Sequence, residues 1–112
     1  MSQFNVAPLI GTNLSRNVIN FAGTGANAVI AASGATIIQV YRIFFVVGAA
    51  TNVTFQDGTT PLTGAIPLAA NGAITLDYSG DPWFLTSAGN AFQINQSGTA
   101  QTSGAVWFTQ RS

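Results

Sequence analysis

The sequence predicts an all-β fold, a sandwich or barrel of short antiparallel strands, and three observations support this. Gly or Pro interrupts every stretch in which apolar residues recur at helical spacing. β-branched and aromatic residues alternate with polar ones at a period of two. Turn residues recur at short intervals along the chain. At 112 residues, there is room for one domain.

The predicted strands are marked by apolar residues at every second position, which turn one face of each strand toward a core. The residues predicted to face the core in this way are Val53 and Phe55, then Ile74, Leu76 and Tyr78, and then Phe92 and Ile94. Asp57-Gly58 predicts a tight turn, and Asn71-Gly72 is the strongest hairpin signal.

Two runs are apolar on both faces, residues 43–47 and residues 105–108. Such a strand lies either in the middle of a sandwich or at a subunit interface. We assign one face of the first run to the core and the other to a neighbouring subunit. The predicted subunit interface comprises Phe44, Phe45, Val46 and Trp107.

The chain is almost free of ionised side chains. It has three Arg and three Asp, with no Lys, Glu, His or Cys, so charged residues make up 5%, against about 25% in ordinary soluble proteins. Asn, Gln, Ser and Thr supply the polar surface, and such a surface suits contact with other protein because burying charge is costly. We therefore favour permanent oligomerisation over the alternative, a soluble monomer with a neutral polar surface.

The same composition argues against other partners and against catalysis. Three scattered Arg residues cannot form the basic cluster that nucleic acid requires, and the longest apolar run, residues 37–48, is too short to span a membrane. Without His or Cys there is no general base or nucleophile pair and no zinc ligand set, so we predict no enzyme, no cofactor and no metal site. The alternative for metal binding is calcium held by Asp77, Asp81 and neighbouring carbonyls, whose spacing does not match a known calcium loop. Asp77 and Asp81 are interpreted as a solvated strand residue and a turn former, and Asp77 is one candidate partner for Arg42, water being the other.

Residues 1–16 do not fit the strand pattern. We predict an extended N-terminal arm here, with the sandwich domain in residues 17–112; a disordered tail is the alternative. The arm is favoured because disordered tails rarely contain so many large apolar residues. The arm residues predicted to contact another chain are Phe4, Val6, Leu9, Ile10 and Leu14.

Several segments resemble small structural proteins of tailed bacteriophages. They are residues 39–47 (QVYRIFFVV), 51–58 (TNVTFQDG), 67–78 (PLAANGAITLDY), 82–84 (PWF), 86–95 (TSAGNAFQIN) and 104–110 (GAVWFTQ). This likeness covers about two-thirds of the chain, which looks like a β-sandwich module found in virion proteins, including capsid cement or decoration proteins and parts of tail fibres.

The resemblance implies a jelly-roll-like antiparallel β-sandwich that forms a homotrimer on the outer surface of the capsid. There it would clamp neighbouring subunits of the major capsid protein, and the arm would reach onto the shell or an adjacent trimer. The alternative is a tail-fibre or receptor-binding module, an adhesin, in which Trp83 and Trp107 would meet a host glycan. The resemblance carries over no catalytic residues.

Overall fold

The structure, a computed structural model, describes residues 14–111, and all of their regular secondary structure is β-strand. The ten strands are β1 (Ser15–Phe21), β2 (Gly25–Ile30), β3 (Ile37–Val47), β4 (Thr51–Asp57), β5 (Thr60–Pro61), β6 (Ile66–Leu68), β7 (Ala73–Leu76), β8 (Phe84–Leu85), β9 (Phe92–Gln96) and β10 (Thr102–Arg111). The predicted all-β class is therefore confirmed.

The strands form two antiparallel sheets that pack as a sandwich. The first sheet has the order β1-β10-β3-β7, with β8 beside β3 further along the same edge, and the second has the order β2-β9-β4-β5, with β6 beside β4. β5 and β6 both pair with β4, and β7 and β8 both pair with β3. Counting each of these two pairs as one interrupted strand leaves eight strands. Their order is then first, eighth, third, sixth in one sheet and second, seventh, fourth, fifth in the other, which is the strand order of a jelly roll.

Phe55 lies at the centre of the core between the two sheets. Its ring packs edge-on against Phe45 of the first sheet at 6.1 Å between centroids, stacks on Phe84 at 4.7 Å and on Phe92 at 6.0 Å. Val53 and Ile94 are fully buried beside this cluster. The period-two prediction of these inward residues is confirmed.

A β-bulge in β3 decides which of its side chains face outward. Trp107 of β10 pairs with Arg42, but the next residue, Phe108, pairs with Val40, so Tyr41 has no partner of its own. The extra residue reverses the alternation. Ile38 and Val40 are buried before the bulge, whereas Ile43, Phe45 and Val47 are buried after it. Both Arg42 and Phe44 consequently face outward.

Two sequence predictions are wrong in detail. The turn at Asn71-Gly72 forms, with Asn71 in the left-handed region at φ 67°, but it does not close a hairpin. β6 pairs with β4 and β7 pairs with β3, so this turn carries the chain from one sheet to the other. Tyr78 does not face the core, because β7 ends at Leu76 and Tyr78 is exposed.

The sandwich begins slightly earlier than predicted. Ser15 and Arg16, assigned to the arm, are the first residues of β1, because they continue the pairing with β10 opposite Phe108 and Trp107. Leu14 is partly buried just before this strand. The remainder of the predicted arm lies outside the described residues.

A buried carboxylate fastens the second sheet to the β8–β9 loop. Asp57, 9% exposed at the end of β4, accepts hydrogen bonds from the Ser87 backbone N–H at 3.0 Å, the Ser87 hydroxyl at 2.9 Å and the Asn90 side-chain amide at 3.0 Å. Burial alone would raise the pKa of Asp57, but these hydrogen bonds outweigh it and hold the pKa below its ordinary value of 3.8. The ionised form is therefore favoured by folding.

We expect Asp57→Asn to lower the free energy of unfolding at neutral pH by about 1.5–3 kcal/mol, because it removes a charged hydrogen-bond acceptor. A depressed carboxyl pKa stabilises the fold above the unfolded-state value and loses that effect as the pH falls through the folded-state value. The difference between wild type and variant should therefore shrink below pH 3.8. Urea denaturation at a series of pH values measures this difference in the free energy of unfolding.

Asp81→Asn, an exposed turn substitution, is the control and should change stability by less than about 0.5 kcal/mol. A gap that stays constant with pH would contradict the assignment.

Candidate functional site

The outward side of the first sheet is the candidate site, and we call it the aromatic face. Its outward residues, read from pairing and alternation, are Arg16, Val18 and Asn20 on β1, Ser103, Ala105, Trp107, Thr109 and Arg111 on β10, Ile37, Gln39, Tyr41, Arg42, Phe44 and Val46 on β3, Ala73 and Thr75 on β7, and Leu85 on β8. Val18 is 71% exposed, Val46 43% and Phe44 38%. Large apolar groups therefore remain open to water on this side.

The centre of the aromatic face is a row of stacked groups. The rings of Phe44 and Trp107 lie 5.9 Å apart, and the Arg42 guanidinium sits 4.6 Å from the centre of the Trp107 ring. Arg42 Nε also donates to Asp77 Oδ1 at 3.2 Å, so of the two alternatives for Arg42 the structure has the ion pair with Asp77. Both charged side chains are largely exposed, and the pair contributes at most about 1 kcal/mol to stability. Its clearer effect is to help hold the guanidinium over the indole ring.

The two outer surfaces of the sandwich differ sharply in chemistry. All three Arg residues, Arg16, Arg42 and Arg111, project from the aromatic face. The outward residues of β2, β4 and β9 are Ala26, Ala28, Asn52, Thr54, Gln56, Gln93 and Asn95, which are small or neutral polar groups. Among residues 14–111, every exposed large hydrophobic lies on the first sheet or in the segment between β7 and β8 that borders it. Aromatic residues together with Arg are typical of binding surfaces.

The predicted interface residues divide between the surface and the core. Phe44, Val46 and Trp107 lie together on the aromatic face. Phe45 does not belong with them, because it is 0% exposed and packs against Phe55. The prediction for Phe45 is corrected, since adjacent residues of one strand point to opposite faces. Of the predicted arm residues, Phe4, Val6, Leu9 and Ile10 lie outside the described part of the chain.

Val18 is the most exposed large hydrophobic of the described chain, and sequence reasoning missed it. The signal was available: Arg16, Val18 and Asn20 alternate with Ile19 and Phe21, which turn inward. Because residues up to Arg16 were assigned to the arm, the two-residue alternation that begins there was not recognised. Leu85, 50% exposed beside Gln39, was missed because β8 has only two residues and shows no period.

A second aromatic group borders the aromatic face at the β7–β8 edge. The rings of Tyr41 and Tyr78 lie 5.8 Å apart. Trp83 is exposed, and its indole N–H donates to the Asp77 carbonyl oxygen at 2.7 Å, which fixes the ring in place. Fixed, exposed aromatic rings can stack on flat apolar ligand surfaces.

Within residues 14–111, no three His, Cys, Asp or Glu side chains come together as a metal site, and no helix is long and apolar enough to cross a membrane. No family model matches the chain, and comparison with curated proteins and with solved structures finds no match either. The jelly roll and the aromatic face are therefore the observations on which a function can be argued.

Proposed function

We propose that this chain is a virion structural protein, a capsid decoration protein of a tailed bacteriophage. It assembles as a homotrimer on the outer surface of the head and clamps neighbouring subunits of the major capsid protein. The observation that carries the proposal is the aromatic face, with Phe44, Val46, Trp107 and Val18 uncovered in a chain that is 5% charged. The resemblance of the strand segments to phage virion proteins supplies the kind of assembly.

The size of the aromatic face supports its role as the contact between copies. The strands of this sheet contain 34 residues, and each residue covers about 3.3 Å by 4.8 Å, so the flat area of the face is about 540 Å². A specific interface buries about 800 Å² on each partner. Covering exposed apolar side chains of this size contributes on the order of 1 kcal/mol each.

Binding as a trimer explains how a small subunit could stabilise a shell. Three linked copies bind more tightly than one, since each later contact is effectively intramolecular. A protein that binds only the assembled shell stabilises it by mass action. Threefold symmetry also matches the threefold positions of a capsid.

Counting copies per particle tests the proposal. Phage particles are purified from cells that express the gene and are digested with a protease. Peptides of this chain are then quantified against those of the major capsid protein. We expect hundreds of copies per particle, as a shell decoration requires. Absence of the chain from purified particles would refute the proposal.

A receptor-binding module of a phage tail is the second candidate, and Trp83 is the observation that favours it. Its exposed ring, held by a hydrogen bond from the indole N–H to the Asp77 carbonyl oxygen, has the geometry of a platform for a sugar ring. Trp107 suits this role less well, because Arg42 and Phe44 cover its ring. A handful of copies per particle, located on the tail, would favour this candidate over shell decoration.

A further inference from the structure

The three aspartates of the chain have different surroundings. Asp77 is paired with Arg42, and Asp57 is buried at the end of β4, where it accepts hydrogen bonds from the β8–β9 loop. Asp81 is exposed between β7 and β8, and among the described residues it forms no ion pair. The segment of residues 77–83, which we call the 77–83 segment, therefore carries an unpaired negative charge.

Two exposed aromatic rings lie on either side of this charge in the 77–83 segment, Tyr78 at 37% exposed and Trp83 at 43%. The indole N–H of Trp83 donates to the Asp77 carbonyl oxygen at 2.7 Å, which orders the larger ring before any contact forms. An ordered side chain has little further freedom to lose on binding. The segment is therefore suited to anchor a protein contact.

The β1 edge of the same sheet carries the opposite charge. Arg16 and Val18 both point outward and both are exposed, Val18 at 71%, and we call these two residues the β1 patch. Arg16 forms no ion pair within the described part of the chain. The β1 patch thus offers a positive charge beside an apolar side chain, whereas the 77–83 segment offers a negative charge beside aromatic rings.

Within one copy the β1 patch and the 77–83 segment are too far apart to touch. β1 and β7 are the two ends of the strand order β1-β10-β3-β7, so three strand spacings, about 14 Å, separate them. The charged atoms of an ion pair lie within about 4 Å of each other. Contact between the two surfaces therefore requires a second copy. Because the two surfaces differ, such a contact is heterologous, which is the type that closes a ring of three.

We propose that the 77–83 segment of each copy docks on the β1 patch of another copy. Asp81 pairs there with Arg16. The ordered ring of Trp83 packs on Val18. The inference rests on the proposed trimer and assigns the two surfaces that meet in it, at the β1 end of the aromatic face. Trp83 is covered in this contact, so the contact and the use of Trp83 as a sugar platform exclude each other.

Charge reversal in the purified full-length protein tests the contact. Arg16→Asp places two carboxylates opposite each other, and Asp81→Arg places two guanidinium groups opposite each other. We expect each reversal to raise the dissociation constant of the assembly about tenfold or more, because like charges in contact are strongly unfavourable. Neutralisation alone, as in Asp81→Asn, should change this constant by at most about twofold, because exposed ion pairs contribute little. Sedimentation over a range of concentrations measures the constant, and circular dichroism checks that each variant is folded.

The double variant Arg16→Asp/Asp81→Arg restores opposite charges across the contact and should bring the dissociation constant back to within about threefold of wild type. Arg16→Asp/Asn52→Arg is the matched control, because it adds the positive charge on the outward side of the second sheet and should restore nothing. A double reversal no better than the weaker single variant would overturn the inference. So would rescue of Arg111→Asp, in place of Arg16→Asp, by Asp81→Arg.

Site-directed cross-linking is the second measurement, since the chain has no cysteine of its own. Differently tagged copies with Ser79→Cys and with Asn20→Cys, which lies beside the β1 patch, are co-expressed and treated with a short bis-maleimide. We expect a mixed cross-linked dimer of about 23 kDa, twice the chain mass of 11.5 kDa. Ser79→Cys with Asn52→Cys is the control and should give about tenfold less, because only the β1 edge has a high effective concentration of the segment. Equal yields from the two pairs, or no mixed dimer, would overturn the inference.

These failures are distinct from failure of the proposed function. A trimer that decorates particles but shows neither charge rescue nor selective cross-linking loses only this contact. Charge rescue in a protein with the mass of two copies keeps the contact and refutes the trimer. A chain absent from purified phage particles loses the proposed function whatever its association shows.

Discussion

Gly104→Ala is expected to lower the free energy of unfolding by about 3 kcal/mol or more, as overpacking against an inflexible neighbour does. Gly104 lies in the middle of β10, between Ile19 of β1 and Phe45 of β3. A Cβ atom at this position would lie 2.6 Å from the Phe45 Cα and closer still to the Phe44 carbonyl oxygen. Both are backbone atoms of the longest strand, so relief requires β3 and β10 to move apart.

Gly64→Ala is the matched control for this prediction. A Cβ at Gly64 meets no atom within 4 Å, so the alanine side chain fits without strain. Because alanine lowers the conformational entropy of the unfolded chain, Gly64→Ala should leave stability unchanged or raise it by up to about 1 kcal/mol. Both variants are compared by chemical denaturation at one protein concentration, because the proposed association of copies would also contribute to apparent stability. If the two substitutions had the same effect, the close approach of β3 and β10 would be wrong.

Phe44→Asp and Phe45→Asp replace neighbouring residues but should have different effects, the first on association between copies and the second on folding. Phe44 is exposed on the aromatic face, so its replacement should leave the sandwich folded but weaken association by about 2 kcal/mol per contact, about thirtyfold in the dissociation constant. Phe45 is fully buried against Phe55. An unpaired carboxylate there has no hydrogen-bond partner in an apolar core, so the chain should fail to fold.

Circular dichroism and sedimentation measure folding and mass for these variants. Asn52→Asp adds the same charge on the outward side of the second sheet and should change neither. A Phe44→Asp protein that is folded and keeps the mass of the wild-type assembly would show that copies meet through some other surface.

The sequence predicted the core where alternation was regular and side chains were large. Val53 with Phe55 and Phe92 with Ile94 face inward as their period requires. The bulge at Tyr41 could not be predicted, because whether β3 gains an extra residue depends on its register with β10. The misassignment of Phe45 follows from reading the apolar run without that register.

Long-range pairing explains the other differences. Asn71-Gly72 has the local chemistry of a hairpin turn, but the short strands on either side find longer partners in opposite sheets. The hydrogen bonds of Asp57 join residues 30 or more positions apart, and no local pattern announces them. A Gly inside a strand signals a close backbone approach, but the apolar run predicted at residues 105–108 left Gly104 outside the strand, and only the observed β10, Thr102–Arg111, includes it.

The candidate site was predictable in its chemistry and only partly in its membership. The near absence of charge and the doubly apolar run at residues 43–47 pointed to a covered surface. That all three Arg residues share this surface with Val18 required the pairing of β1, β10 and β3, since these strands are far apart in sequence.

The mass of the purified full-length protein in solution tests most directly whether other copies of the chain cover the aromatic face. Sedimentation equilibrium at micromolar concentration should give about 34.5 kDa, three times the chain mass of 11.5 kDa. A stable species of 11.5 kDa, with Val18, Phe44 and Val46 left in water, would contradict the account.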